Sequence, residues 1–385
     1  MTRRARPLLF AFAFVPLLGL SVPVLGAQGL TFPPNGDNPQ ASVTQALGPV
    51  TVKIDYSSPR VVRGPNDRRG KIWGELIPYG LSDIGGNGCK SCPWRGGANE
   101  NTLFAVSHGV KVQGQPLPAG TYGLHFIPGK DEWTVVFSKD SSSWGSYWYD
   151  AKNDALRVAA KPSKSEYHEW LTYEFTEREP SKTTVALKWE ELQVPLTVSV
   201  DNVAQLWVDG MRRDLHQWSG FTPDNWQQAA AYCAQNKVNL PEALTWAERA
   251  VNGSPGYSPG EESFTTLSTL SRLQALNGKE QEAAKTFEKA INHPTAQPLQ
   301  IHFAARQLMA DGKKAEALKV FQLNAKKFPN QWPVHMGLMR GYAAVGDRKK
   351  AIEEGRLALP QAPNPQNRNA IEALLKQLEE GKDIN

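Results

Sequence analysis

The stretch "NGKEQEAAKTFEKAINHP", residues 277–294, returns as "DGKKAEALKVFQLNAKKFP", residues 311–329, with Gly278 and Gly312 in register 34 positions apart. A third copy, "VGDRKKAIEEGRLAL" (345–359), places Gly346 another 34 positions on. Five residues after each glycine stands a small one: Ala283, Ala317 and Ala351. Phe287 and Phe321 stand nine after it, and Gly355 takes that place in the third copy. Small residues allow two helices to approach closely, and the aromatic fills the space against the next pair. An earlier copy, "VNLPEALTWAERAVNGSP" (238–255), aligns through Ala243 and Ala250 before "GYSPGEES" stretches the interval.

A period of 34 with glycine at the inter-helix turn resembles the tetratricopeptide repeat. The resemblance implies a helical solenoid over 225–385. Its concave surface would hold a peptide or protein partner, or serve as a packing platform for the neighbouring domain.

Ahead of the repeats the period is two. In "VTVKIDY" Val50, Val52, Ile54 and Tyr56 share one face, and in "TYGLHFI" Tyr122, Leu124 and Phe126 oppose Gly123, His125 and Ile127. "WTVVF", "WLTYEF", "TTVALKW" and "VPLTVSV" continue the alternation between turn-forming clusters. Such strands predict an antiparallel sandwich or flattened barrel over 41–200. Pro195 in the last strand marks an edge or a bulge. "NVAQLWVDGMRRDL" then reads as a linker helix within 201–224. The fold class is therefore α+β in separate domains, β-rich first and all-α second.

The first 27 residues belong to neither domain. "TRRAR" followed by the apolar run 8–20 and the small residues of "VLGAQ" reads as a signal peptide, cut after Ala27. Residues 28–40 read as a flexible lead-in. The apolar run falls short of the roughly 20 residues of a spanning helix, although an uncleaved anchor is the alternative. Export to a periplasmic or extracellular space follows. Three of the positive charges behind the net +5, Arg3, Arg4 and Arg6, lie in the signal, so the mature chain is close to neutral. That gives no electrostatic case for nucleic acid. "DRRGK" (67–71) reads as a solvated loop.

In an oxidising space the C-x-x-C pair Cys89 and Cys92 reads first as a local disulfide, with redox chemistry or metal binding as alternatives. A c-type haem wants His after the second Cys, where Pro93 stands, and a zinc site lacks its further ligands. No cofactor and no metal are expected. Cys233 falls on the Trp226, Ala229, Ala230 face and reads as a buried free thiol.

"WRGGANENT" (94–102) leads straight into the strand "LFAV". Together with "YSSPRVVRG", "GKIWGELIPYG", "PAGTYGLHFIPG", "EWTVVFSKD", "WGSYWYD" and "LKWEELQVPLTV" it resembles the secreted bacterial domain-of-unknown-function family 2911 over about 40–201. The resemblance implies an exported β-domain, often continued by tetratricopeptide-like helices, and implies no reaction. The insertion "GLSDIGGNGCKSCP" departs from the family pattern and carries both cysteines. The family's motifs fall on Tyr56, Arg60, Trp94, Arg95, Asn99, Thr102, Trp144 and Trp189.

These residue types suit recognition. Arg95 can clamp a carboxylate or sulfate, Asn99 can read hydroxyls, and Trp94 or Trp144 can stack on a sugar face. The competing reading spends Arg95 and Asn99 on loop carbonyls and puts the tryptophans in the core. The expected mouth is 94–102 with Arg60, Tyr56 and His125, taking a sugar or organic acid. Two alternatives stand beside it. One is an envelope-polymer hydrolase, which would require Glu100 and Glu174 to face each other with His125 as base. The other is a structural assembly factor without catalysis.

Overall fold

The computed structural model describes residues 38–85, 88–256 and 258–385. The expected signal peptide, and the lead-in up to residue 37, lie outside them.

Strands Gln40–Leu47 (β1), Val50–Ser57 (β2), Val62–Arg63 (β3), Asn66–Asp67 (β4), Leu103–Val106 (β5), Val110–Val112 (β6), Gln115–Leu117 (β7), Gly120–Ile127 (β8), Trp133–Ser138 (β9), Asp154–Ala160 (β10), Ser163–Arg178 (β11) and Lys182–Ser199 (β12) build the first half. Six of them form one antiparallel sheet in the order β1-β2-β5-β8-β9-β10, and four form a second, β11-β12-β6-β7. Alternation in β2 sends Val50, Val52 and Ile54 inward, where they meet Leu171, Val185, Leu187 and Val198 of the second sheet in a single core. The antiparallel sandwich expected from the period-two pattern is what forms. Pro195 lies beyond Gln193, where the β11 pairing of β12 ends, and before Val198, where pairing with β6 begins. There the missing N–H breaks no ladder bond.

One strand departs from simple alternation. In β8 residues 122–126 are all buried, so His125 does not face solvent on the far side. The segment after β9 folds over that face, bringing Ser146 and Tyr149 against His125.

Among the described residues the second half holds ten α-helices: Val203–Leu215 (α1), Pro223–Asn236 (α2), Leu240–Asn252 (α3), Phe264–Leu276 (α4), Glu280–Asn292 (α5), Pro298–Ala310 (α6), Lys314–Lys327 (α7), Trp332–Ala344 (α8), Arg348–Ala358 (α9) and Pro365–Glu379 (α10). Gly278, Gly312 and Gly346 take left-handed backbone at the turns within the hairpins, which glycine does without steric penalty. Ala283, Ala317 and Ala351 are buried where paired helices touch. Phe321 is enclosed beneath Gly337 and Gly341, whose missing side chains leave room for its ring. The helices are the tetratricopeptide-like hairpins that the 34-residue period announces.

Glycine also shapes the junction between the halves. Gly48 turns the β1–β2 hairpin at φ +57, and a Cβ there would lie 2.3 Å from Val203 Cγ1 at the start of α1. Val203 and Leu206 pack against the sandwich core. No described helix is long and apolar enough to cross a membrane.

Candidate functional site

The loop 94–102 is pinned to the end of the sandwich by main-chain bonds. Trp94 and Phe126 exchange N–H···O bonds of 2.7 Å, extending the β8 edge, and Ala98 N–H donates to Ser57 O at 3.0 Å. Gly96 turns through φ +64 so that its carbonyl can accept from the buried Tyr173 hydroxyl at 2.8 Å. A Cβ on Gly96 would strike that hydroxyl at 2.6 Å and Phe126 at 2.7 Å, so the twin glycines are a packing requirement. Asn99 also takes left-handed backbone, at φ +57, which an asparagine tolerates.

The same loop forms one wall of a cleft of about 540 Å³. Trp94, Arg95 and Asn99 line it from this wall, and Trp144, Ser146 and Tyr147 from the segment after β9. Arg63 and Arg68 close it from the β3–β4 ribbon, and Leu76 to Ile84 bring apolar side chains. Among the described residues of the lining there are three arginines and no carboxylate. Aromatic faces together with the Arg68 and Arg95 guanidinium groups make a surface for an anion carrying an apolar or ring portion.

Arg95 is the best-defined cation of the cleft. Its Nη1 donates to its own loop at Asn99 O, 3.0 Å away, and this is the guanidinium's single bond among the described residues. Burial pulls its pKa down, and the nearby Glu100 carboxylate opposes that shift. Asn99 Oδ1 meanwhile accepts from Asn38 Nδ2 at 3.2 Å. Both residues are therefore partly spent on the loop and partly presented to the cleft. Trp144 is 58 % exposed, whereas Trp94 is half-buried and stacks on Trp189 at 6.3 Å and 15°. Trp73 and Trp133 complete that aromatic cluster from the edge. The indole N–H groups of Trp73 and Trp189 are buried without an acceptor among the described residues, and Trp189 belongs to the lining.

The other expected residues lie outside the lining. Tyr56 is buried, with its hydroxyl accepting from Tyr173 N–H at 3.3 Å. Thr102 is enclosed, and its carbonyl accepts from Leu124 N–H at 2.7 Å. Arg60 bridges to Trp170, with its guanidinium carbon 5.7 Å from that ring. Glu100 accepts from Ser57 Oγ at 3.0 Å, and Glu174 is held by Lys188 on β12. Neither glutamate lines the cleft.

His125 sits behind the cleft wall. Its Nδ1 is 3.0 Å from Ser146 Oγ, and Tyr149 packs edge-on against the ring. Desolvation lowers its pKa to about 4, with Asp140 pulling the other way and Arg95 adding to the fall, so the imidazole is neutral at pH 7. A neutral ring nitrogen beside a cleft-lining hydroxyl fixes the rotamer of Ser146.

The sequence reading missed Arg63, Arg68, Ser146 and Tyr147. The loop "DRRGK" is only partly solvated: Arg69 pairs with Asp67, whereas Arg68 turns to the cleft. Loop residues carry no periodic signal that would have revealed this. Cys89 and Cys92 form a disulfide, and the Cys92 main chain bridges to Ser82, another lining residue. Cys233 is buried and free, its thiol pKa raised by burial to about 11. No group of three or more His, Cys, Asp or Glu among the described residues could hold a metal ion.

Comparison with known proteins adds the following. No curated protein matches. Among solved structures, the helical region is similar to the C-terminal part of a TPR repeat-containing protein from Cytophaga hutchinsonii, at 11% identity over 47% of this chain and 68% of that one, TM-score 0.33. It is also similar to YrrB, described as a TPR protein with an unusual peptide-binding site, at 17% identity over 45% and 89%, TM-score 0.29. A tetratricopeptide repeat protein from Parabacteroides merdae matches at 15% identity over 41% and 60%, TM-score 0.30. The β-domain has its own match: residues 38–198 fit the family model described as Protein of unknown function (DUF2911).

Proposed function

We propose that the β-domain binds a small anionic molecule, an organic acid or an acidic sugar, in the cleft beside Arg95, and that the helical repeats hold a protein partner. The protein works after export, in the periplasm or outside the cell. One observation carries the ligand reading: Arg68 and Arg95 line, with Trp94 and Trp144, one cleft whose described lining holds no carboxylate. A half-buried guanidinium with one bond among the described residues keeps donors for a bidentate partner. The Trp189 indole N–H supports the same reading, because a ligand oxygen would supply the acceptor it lacks. Trp94, Trp144 and Asn99 would contact the ligand. Tyr56, Arg60, Thr102 and His125 would hold the loop from beneath.

The test is a thermal-shift panel of hexuronates, neutral hexoses and aliphatic and aromatic carboxylates, run on the wild type and on Arg95→Ala. Stabilisation by one acidic class, absent for its neutral counterpart and lost in the variant, supports the proposal. Equal shifts in both proteins, or none with any acid, would refute it.

A further inference from the structure

Two segments leave large apolar side chains at the rim of the cleft. Leu76, Tyr79, Leu81 and Ile84 come from the stretch after the β3–β4 ribbon, and Trp144 and Trp148 from the stretch after β9, each 43–58 % exposed. Leu76, Ile84 and Trp144 belong to the lining, and Tyr79 and Leu81 stand between lining residues in the chain. The Trp148 ring lies 4.6 Å from that of Tyr147, which also lines the cleft. A clustered apolar surface of this kind marks a site of interaction, whereas scattered exposed side chains need no explanation.

The rim is fastened. Gly80 N–H donates to Pro128 O at 2.7 Å, and Ser82 and Cys92 exchange main-chain bonds of 2.9 and 3.0 Å, so the apolar residues stand on anchored backbone. Asp83, which lies among them in the chain, is turned to Lys90 at 3.3 Å and to Gly85 N–H at 2.7 Å. Arg68 and Arg95, both half-buried, stand in the same cleft. Anion-binding groups and an open apolar rim are therefore continuous. A sugar ring engages aromatic faces and hydrogen-bonding groups, and it would leave Leu76, Leu81 and Ile84 wet. A hydrocarbon chain covers aliphatic and aromatic side chains alike.

We infer that the acid bound in the cleft is an amphiphile: a carboxylate on a single hydrocarbon chain, its head held by Arg95 and Arg68 and its chain running out over Leu76, Ile84 and Trp144 to Trp148. The inference rests on the reading of the cleft as a seat for an acid, and it names the class of acid. Complete burial of one methylene is worth about fourfold in affinity, and a chain lying on an open rim gains part of that at each carbon. Affinity therefore climbs with chain length. An alcohol of equal length lacks the charge that the guanidinium groups select.

The test is isothermal titration calorimetry on the full chain at neutral pH with butanoate, hexanoate, octanoate and decanoate below their micelle concentrations, beside octanol and glucuronate. Decanoate is expected to bind at least about tenfold more tightly than hexanoate, and octanoate at least about tenfold more tightly than octanol. Leu76→Ser/Ile84→Ser, both on the exposed rim, should roughly halve the dependence on chain length with an unchanged circular dichroism spectrum. An unchanged dependence would overturn this path for the chain. Glucuronate or butanoate binding as tightly as decanoate would overturn the amphiphile and leave the acid reading standing. Failure of every acid would overturn both, and octanol matching octanoate would overturn the arginine-held head. Sedimentation with phosphatidylglycerol vesicles, lost in the same variant and without binding of free decanoate, would assign the rim to a bilayer surface and overturn the single-chain ligand.

Discussion

Gly145 and Arg95 are in direct contact: a Cβ on Gly145 would lie 2.5 Å from Arg95 Nη1 and 2.7 Å from its Cδ. The glycine also takes φ +58, so two constraints meet at one residue. It carries Trp144 on one side and Ser146 on the other into the cleft. The arginine and the segment after β9 therefore assemble the cleft jointly.

Gly145→Ala should consequently act on both stability and recognition. The left-handed backbone alone costs about 1 kcal/mol for alanine, and displacing the guanidinium adds to it. Urea unfolding should show the loss. A thermal-shift response to an acidic ligand should fall as far in this variant as in Arg95→Ala.

Tyr173→Phe tests the pin under the loop. The hydroxyl is fully buried and donates to Gly96 O, so its removal leaves a buried carbonyl unpaired. The expected loss is about 1–3 kcal/mol, measured by chemical denaturation. A change within a few tenths would mean that the loop is held by its main-chain bonds alone.

Acid should destabilise both halves through buried histidines. His125 and His302 each have pKa values lowered from 6.5 to about 4, burial being the first cause in both. The unfolded chain takes up these protons near pH 6.5 and the folded chain only near pH 4, so stability falls as pH drops through that window and is retained above it. The shift at His125 alone is worth about 3 kcal/mol. Melting temperatures from pH 7.5 to 4 should decline in the wild type. His125→Gln and His302→Gln should each flatten the slope while lowering the plateau.

In the helical half Phe321→Ala should cost about 3–5 kcal/mol, because the ring is enclosed beneath Gly337 and Gly341 and no neighbour can collapse into its space. By contrast Cys89→Ser/Cys92→Ser closes no long loop and should cost at most about 2 kcal/mol. Calorimetry on the two variants would rank them, and a larger loss for the cysteines would show that the insertion supports the cleft.

Sequence alone determined the two architectures, because both are periodic. Alternation in β2 and β9 puts every second residue in one core, and a spacing of 34 puts Ala283, Ala317 and Ala351 at the buried contacts of three successive hairpins. In a repeat, place in the chain is place in space. The cleft is different: Arg68, Arg95 and Tyr147 come from three separate loops, and loops have no period. The burial of His125 likewise depends on a segment that returns across β8 from some twenty residues away. Only the closed sandwich, which brings these loops to one end, decided that they meet.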